Sequence, residues 1–189
     1  MSLYKSLSVS LHGAMMLARG QARGILLMNF DARGIARSFW AIPMALPSVL
    51  YLATLEWPHG TPPPHALLDL VRQGLIFVLG WLAFAALTHL IAPRLNRAHL
   101  WVPMIVAWSW CNVPEAMLMV LGTIPGTLGA PPIVDQAAQV ATFGWALWIE
   151  WFALRLGFGA GPLLAVWLVM VDQSIGLLLV VLDKLLTGG

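Results

Sequence analysis

Charge is what this sequence has least of. Ten basic and eight acidic residues serve 189 positions, so charged side chains make up 10% of the chain and apolar ones 60%. That balance lies far outside the usual soluble range, and with a mean hydropathy of +0.83 it marks an integral membrane protein. The segments between the apolar runs are too short to bury a core of their own, which excludes an attached ATPase or dehydrogenase domain. The single cysteine, Cys111, falls inside an apolar run. An intrachain disulfide and a thiol-rich metal site are thereby excluded, and the thiol reads as buried and inert. There is no HExxH, no GxSxG, no phosphate-binding glycine loop and no histidine pair at haem-ligand spacing, so neither catalysis nor a cofactor is expected. Nucleic acid is not an expected partner either. Although the pI is near 9.1, the net charge is only +2, and the cations are distributed as orientation signals.

What is present is apolar length. A bilayer core of about 30 Å needs about 20 helical residues, and residues 38–55, 67–92, 100–122, 137–154 and 162–182 each come close to or exceed that. The fold class expected is all-α: a five-span membrane bundle over 38–189, preceded by a basic segment over 1–37. Residues 3–29 carry Leu3, Leu7, Leu11, Ala14, Met15 and Ala18 on one helical face and Lys5, Ser8, His12 and Arg19 largely on the other. This predicts an amphipathic helix lying in the membrane interface against anionic lipid. Asp31 is positioned to cap the next helix, and Pro43 and Pro47 should bend the first span. His59 and His65 share a proline-rich loop but lack a third metal ligand. Lys5, Arg19, Arg23, Arg33, Arg37, Arg94, Arg97 and Arg155 fall on one side of this topology and only Lys184 on the other. By the positive-inside rule the amino terminus is cytoplasmic and the carboxyl tail outside, in a bacterial inner membrane.

The third run, 100–122, holds Asn112, Pro114 and Glu115 in a segment otherwise built for lipid. An acid at that depth is costly unless neutral, paired or turned to a polar interior, so the other spans must meet it. The remaining polar candidates are Arg72, His89, Glu150 and Asp172. Ordered by depth, the ionisable groups trace a polar line across the bundle, which suits either a proton relay or a set of separate interhelical tethers. Arg72 and Glu115 come to equal depth in successive antiparallel spans, and this predicts an ion pair, with Asp69 as the competing partner of Arg72. The stripe Ala165, Leu168, Asp172, Gly176, followed through Asp172 by Gln173 and Ser174, predicts Asp172 inside the bundle and Gly176 against another helix. Pro114 frees the Trp110 carbonyl near Asn112 and Glu115. Trp40, Trp57 and Trp101 read as interfacial anchors. Trp145, Trp148 and Trp151 share a face opposite Glu150, which turns the indoles to lipid or a partner and the acid to the bundle.

With a basic, partly amphipathic amino-terminal segment, five spans and a short external tail, the chain resembles bacterial members of the Yip1 family. Asp31-Ala32-Arg33-Gly34 echoes that family's Asp-Leu-x-Gly-Pro motif, while its Gly-Tyr-x-x-x-Pro motif has no counterpart in the third span. The resemblance implies membrane organisation or trafficking through partner proteins, without catalysis, and carries over no functional residue. The function expected first is a non-enzymatic scaffold, membrane-organisation factor or accessory subunit whose partners are the lipid bilayer and another membrane protein. The alternative is a small transporter or ion-translocating protein using Glu115, Glu150 and Asp172.

Overall fold

Apolar runs without turn residues have one way to satisfy their backbone in lipid, which is to close every hydrogen bond within a helix. A computed structural model describes residues 3–57 and 61–187, and among these there is no strand. The helices are α1 (Leu3–Leu17), α2 (Ala32–Ser38), α3 (Ala41–Leu55), α4 (Ala66–Arg94), α5 (Trp101–Gly122), α6 (Ile124–Thr127), α7 (Pro132–Gly157) and α8 (Pro162–Thr187). Four stretches are long and apolar enough to cross a membrane: Ala32–Leu55, Ala66–Arg94, Ala98–Thr127 and Pro162–Leu186. At 26 residues α7 has the length, but Asp135, Gln136, Gln139, Glu150 and three tryptophans dilute it. His59 lies outside the described residues, and His65 sits at the start of α4 without capping it through its side chain.

The bundle is built around α5. More than half of its most apolar window is buried (56%), against 17% to 28% in the other three spans. Its most extensive partner is α7, followed by α3, whereas α4 packs chiefly on α3 and α8. Two glycines set the α5–α7 crossing. A Cβ on Gly157 would stand 2.7 Å from Met104 Cα and 2.9 Å from the Pro103 carbonyl oxygen, and one on Gly122 would collide with Thr142 Oγ1. Large rings fill the space between α4 and α5: Trp108 meets Trp81 at 5.0 Å and Phe84 at 4.5 Å between centroids. Cys111 is fully buried in the same core.

The first 30 residues do not form one surface helix. After α1 the chain reverses through a Schellman turn, in which the Gly20 amide donates to the Leu17 carbonyl (2.8 Å) and the Gln21 amide to the Met16 carbonyl (2.9 Å). Gly20 takes φ +77° there, which a glycine adopts without a steric penalty. A 3-10 turn over Ala22–Leu27 then runs back along α1, the two arms of this hairpin meeting where a Cβ on Gly13 would lie 2.6 Å from the Gly24 carbonyl oxygen. Ala14, Leu17 and Ala18 are buried against the bundle. The base of the hairpin is held by Arg37 Nη1, which donates to Ser6 Oγ at 2.8 Å. Its tip is held by Trp145 Nε1, which donates to the Ala18 carbonyl at 3.0 Å. Twelve residues of helix separate those two points, about 18 Å of rise, so the hairpin climbs α5 and α7 to the level of Met117 and Trp145. A backbone turn at such a depth needs protein partners for its free carbonyls, and the indole supplies one. Arg19 and Arg23 are therefore at the tip, well away from the end where the orientation count assigned them.

Beyond the hairpin, Asp31 caps α2 as expected, its carboxylate accepting from the Gly34 amide at 2.6 Å. That bond holds the exposed Asp31 carboxyl below the usual carboxylate range. Gly176, by contrast, has nothing within 4 Å of a built Cβ. The packed stripe of α8 runs Ala165, Leu168, Asp172, Ile175, Leu179, Asp183, in steps of three, four, three, four and four, and this rotates Gly176 off the interface. Leu179 packs instead on the α4 glycine, Gly80, at 3.7 Å from its built Cβ.

Candidate functional site

Three helices each bring one acid to the same region. Glu115 follows Pro114 on the core face of α5. Glu150 on α7 is 2% exposed, while Trp145 and Trp148 behind it are 51% and 38% exposed, so the acid does turn inward and those two indoles outward. Asp172 extends the buried stripe of α8 beyond Leu168. The Asp172 carboxyl lies beside that of Glu150 and faces the Trp108 indole, and Glu115 is within electrostatic reach of both acids. Gln173 Nε2 donates to Glu150 Oε2 at 3.1 Å. Glu150 Oε1, Glu115 Oε1 and Trp108 Nε1 are buried with no hydrogen bond, so the indole faces Asp172 without a well-directed contact. A cavity of about 210 Å³ opens against Glu115 and Glu150, with Asn112, Gln173 and the rings of Phe77 and Phe143 around it.

Like charges at such spacing repel strongly in a medium of low dielectric, and a buried polar atom without a partner costs about 1–3 kcal/mol. The cluster is thus chemically incomplete by itself. It is completed by protons held on the carboxyls, or by a cation received between them. Among the described residues no three of His, Cys, Asp or Glu are arranged to hold a metal ion.

The other polar residues singled out from the sequence go elsewhere. Arg72 does not meet Glu115. Its Nε is 3.3 Å from Asp183 Oδ1 on α8 and its Nη2 is 3.6 Å from Asp69 Oδ1 one turn away. The expected pair assumed that α4 and α5, successive in sequence, lie flank to flank; α8 is the closer neighbour of α4 here. His89 is exposed and lies edge-on to Trp101, 4.7 Å between centroids. The polar line across the bundle therefore reduces to a cluster of Glu115, Glu150 and Asp172, with Asn112 beside it. Asn112 Nδ2 donates to the Trp108 carbonyl at 3.0 Å, not to the Trp110 carbonyl that Pro114 frees. Trp108 and the two phenylalanines were not read as site residues. Trp108 stands seven residues before Glu115, two helical turns away on one face, and that spacing was the available signal.

No family model, no curated protein and no solved structure matches the chain, which leaves the geometry of this cluster as the ground for a functional reading.

Proposed function

We propose that the chain is a small membrane transport protein that passes protons or a small cation by way of Glu115, Glu150 and Asp172. The observation that supports this over a purely structural role is the meeting of three acids from three helices beside one cavity, which Glu115 and Glu150 line, each with a carboxylate oxygen left unbonded. A tether between helices needs its polar atoms satisfied, whereas a transfer site needs vacancies. In this reading all five long helices cross a bacterial inner membrane. The amino terminus is cytoplasmic, the carboxyl tail is outside, and Arg94, Arg97 and Arg155 mark the cytoplasmic end. Arg19 and Arg23, which make no ion pair among the described residues, then contact anionic lipid. A reporter fused to the carboxyl end reads the topology, because an external tail requires α7 to cross.

The second reading is a scaffold or accessory subunit, Yip1-like in role, and the feature in its favour is the broad apolar face of α8 at Leu177, Leu178, Val181 and Leu185. Proton flux into liposomes separates the two. Flux from the purified protein, abolished in Asp172→Asn and Glu150→Gln, supports transport. No flux, together with a membrane protein that co-purifies stoichiometrically, supports the scaffold.

A further inference from the structure

A second and larger cavity, about 530 Å³, lies where α3, α6 and α7 meet the end of α5. It is lined by Glu56, Asp135, Gln139, Thr142 and Thr123. It shares Leu52 and Met119 with the 210 Å³ cavity at the acid cluster, so the two are consecutive chambers divided by those side chains. Four of the eight acids in the chain, Glu56, Asp135, Glu115 and Glu150, line the pair, and no Lys, Arg or His does. An opening lined by one sign of charge between low-dielectric walls concentrates counter-ions and speeds their entry.

The inner chamber narrows the chemistry of the guest. Its walls include Val49, Leu147, Phe77 and Phe143, which would strip water from an alkali ion and replace few of the lost oxygens. An alkyl group fits those walls, and aromatic faces attract an ammonium head. The polar groups are set for N–H donors: the unbonded Oε1 atoms of Glu115 and Glu150, of which Glu150 is 2% exposed, and the amide oxygens of Asn112 and Gln173. A volume of 210 Å³ equals about seven waters at their share of liquid, about 30 Å³ each.

We infer that the acid cluster binds a small primary alkylammonium ion, which enters from the α3–α6–α7 end through the acidic outer chamber and passes Leu52 and Met119 to reach Glu115 and Glu150. The inference rests on the transport reading above for the fate of the ion, though not for its binding. The test uses the full chain in lipid nanodiscs and n-butylammonium as the probe, measured by calorimetry, with sodium as competitor. Saturable binding is expected, weakened at least about tenfold in Glu150→Gln, the loss of one charge-assisted hydrogen bond. Glu56→Gln should slow association at low salt and have little effect at high salt. Met119→Trp, which narrows the neck without touching an acid, should slow binding as well, and it keeps the test decisive if Glu150→Gln does not fold. Equal binding by wild type and Glu150→Gln, full displacement by equimolar sodium, or no binding to the folded protein would each overturn the inference. Proton flux without butylammonium binding would overturn it and leave the transport reading standing; binding without any flux would do the reverse.

Discussion

The two ends of the α5–α7 pair are built from opposite materials. At the end where α7 turns into α8, Gly157 lies against the backbone of α5, the Trp81, Phe84 and Trp108 rings fill the space toward α4, and Arg97 Nη1 donates to the Phe158 and Gly159 carbonyls at 2.7 and 2.6 Å. At the other end Gly122 still lies against Thr142, and chambers of about 530 and 210 Å³ lined by carboxylates open beside the pair. One end is closed by dispersion and carbonyl bonding, and the other carries polar-lined openings beside the helix contact. The acid-lined chambers thus lie away from the end where Gly157 packs on α5. On the transport reading, the closed end has to loosen while the acids are occupied, which is a shift between two packings of the same helices.

Substituting the closed end should have the largest effect on stability. Gly157→Leu pushes a side chain into the α5 backbone, where neither Met104 Cα nor the Pro103 carbonyl can yield. A loss of about 1–3 kcal/mol or more is expected, read as a lower melting point in detergent. Gly176→Leu, with open space around it, should leave the melting point unchanged, and equal losses would mean the crossing is not fixed at Gly157. At the open end the sign should reverse. Glu150→Met removes a buried acid that lacks a full set of partners and should raise stability by on the order of 1 kcal/mol, and on the transport reading it should also abolish flux. A lower melting point for this variant would identify Glu150 as a structural tether. An effect of similar size and opposite sign is expected at the hairpin tip, where Trp145→Phe deletes one indole-to-carbonyl bond. The expected cost is about 1 kcal/mol, and faster hydrogen exchange or proteolysis confined to residues 18–23 would report it. The smallest effect concerns Asp31. Its folded carboxyl is held below the usual range by the Gly34 amide, so its contribution is present above the unfolded value of about 3.9 and fades as pH falls through the folded value. Acid melts of wild type and Asp31→Ala should differ near neutrality and converge at low pH, and a constant difference would remove the carboxylate from the account.

How far the sequence reaches can be seen residue by residue. Helix positions follow from apolar runs, and the Asp31 cap from side-chain chemistry, because both are local. The inward turn of Glu150 was also legible, since opposing faces of one helix depend only on its 3.6-residue period. Arg72 fails for a different reason: its partner Asp183 belongs to a helix more than a hundred residues away, and which helices are neighbours is a property of the whole bundle. Gly176 fails by one step of the heptad. The acids Glu115, Glu150 and Asp172 were each recognisable as costly at membrane depth, but their meeting depends on α5 pairing with α7, which the Gly157 and Gly122 contacts decide. The amino-terminal hairpin was read as a surface helix because its apolar periodicity is the same whether that face meets lipid or protein.

That hairpin carries a consequence for how the protein is made. Its tip is secured by Trp145, 127 residues downstream of Ala18. At about 5–20 residues per second of synthesis, the hairpin leaves the ribosome several seconds before its anchor exists. Until α7 is inserted, the Arg19–Arg23 tip has no indole for its carbonyl and no groove beside α5 to lie in, so it waits at the membrane surface. Docking it therefore follows the insertion of α7. A chain truncated before residue 145 should present this segment to protease, and the complete chain should protect it.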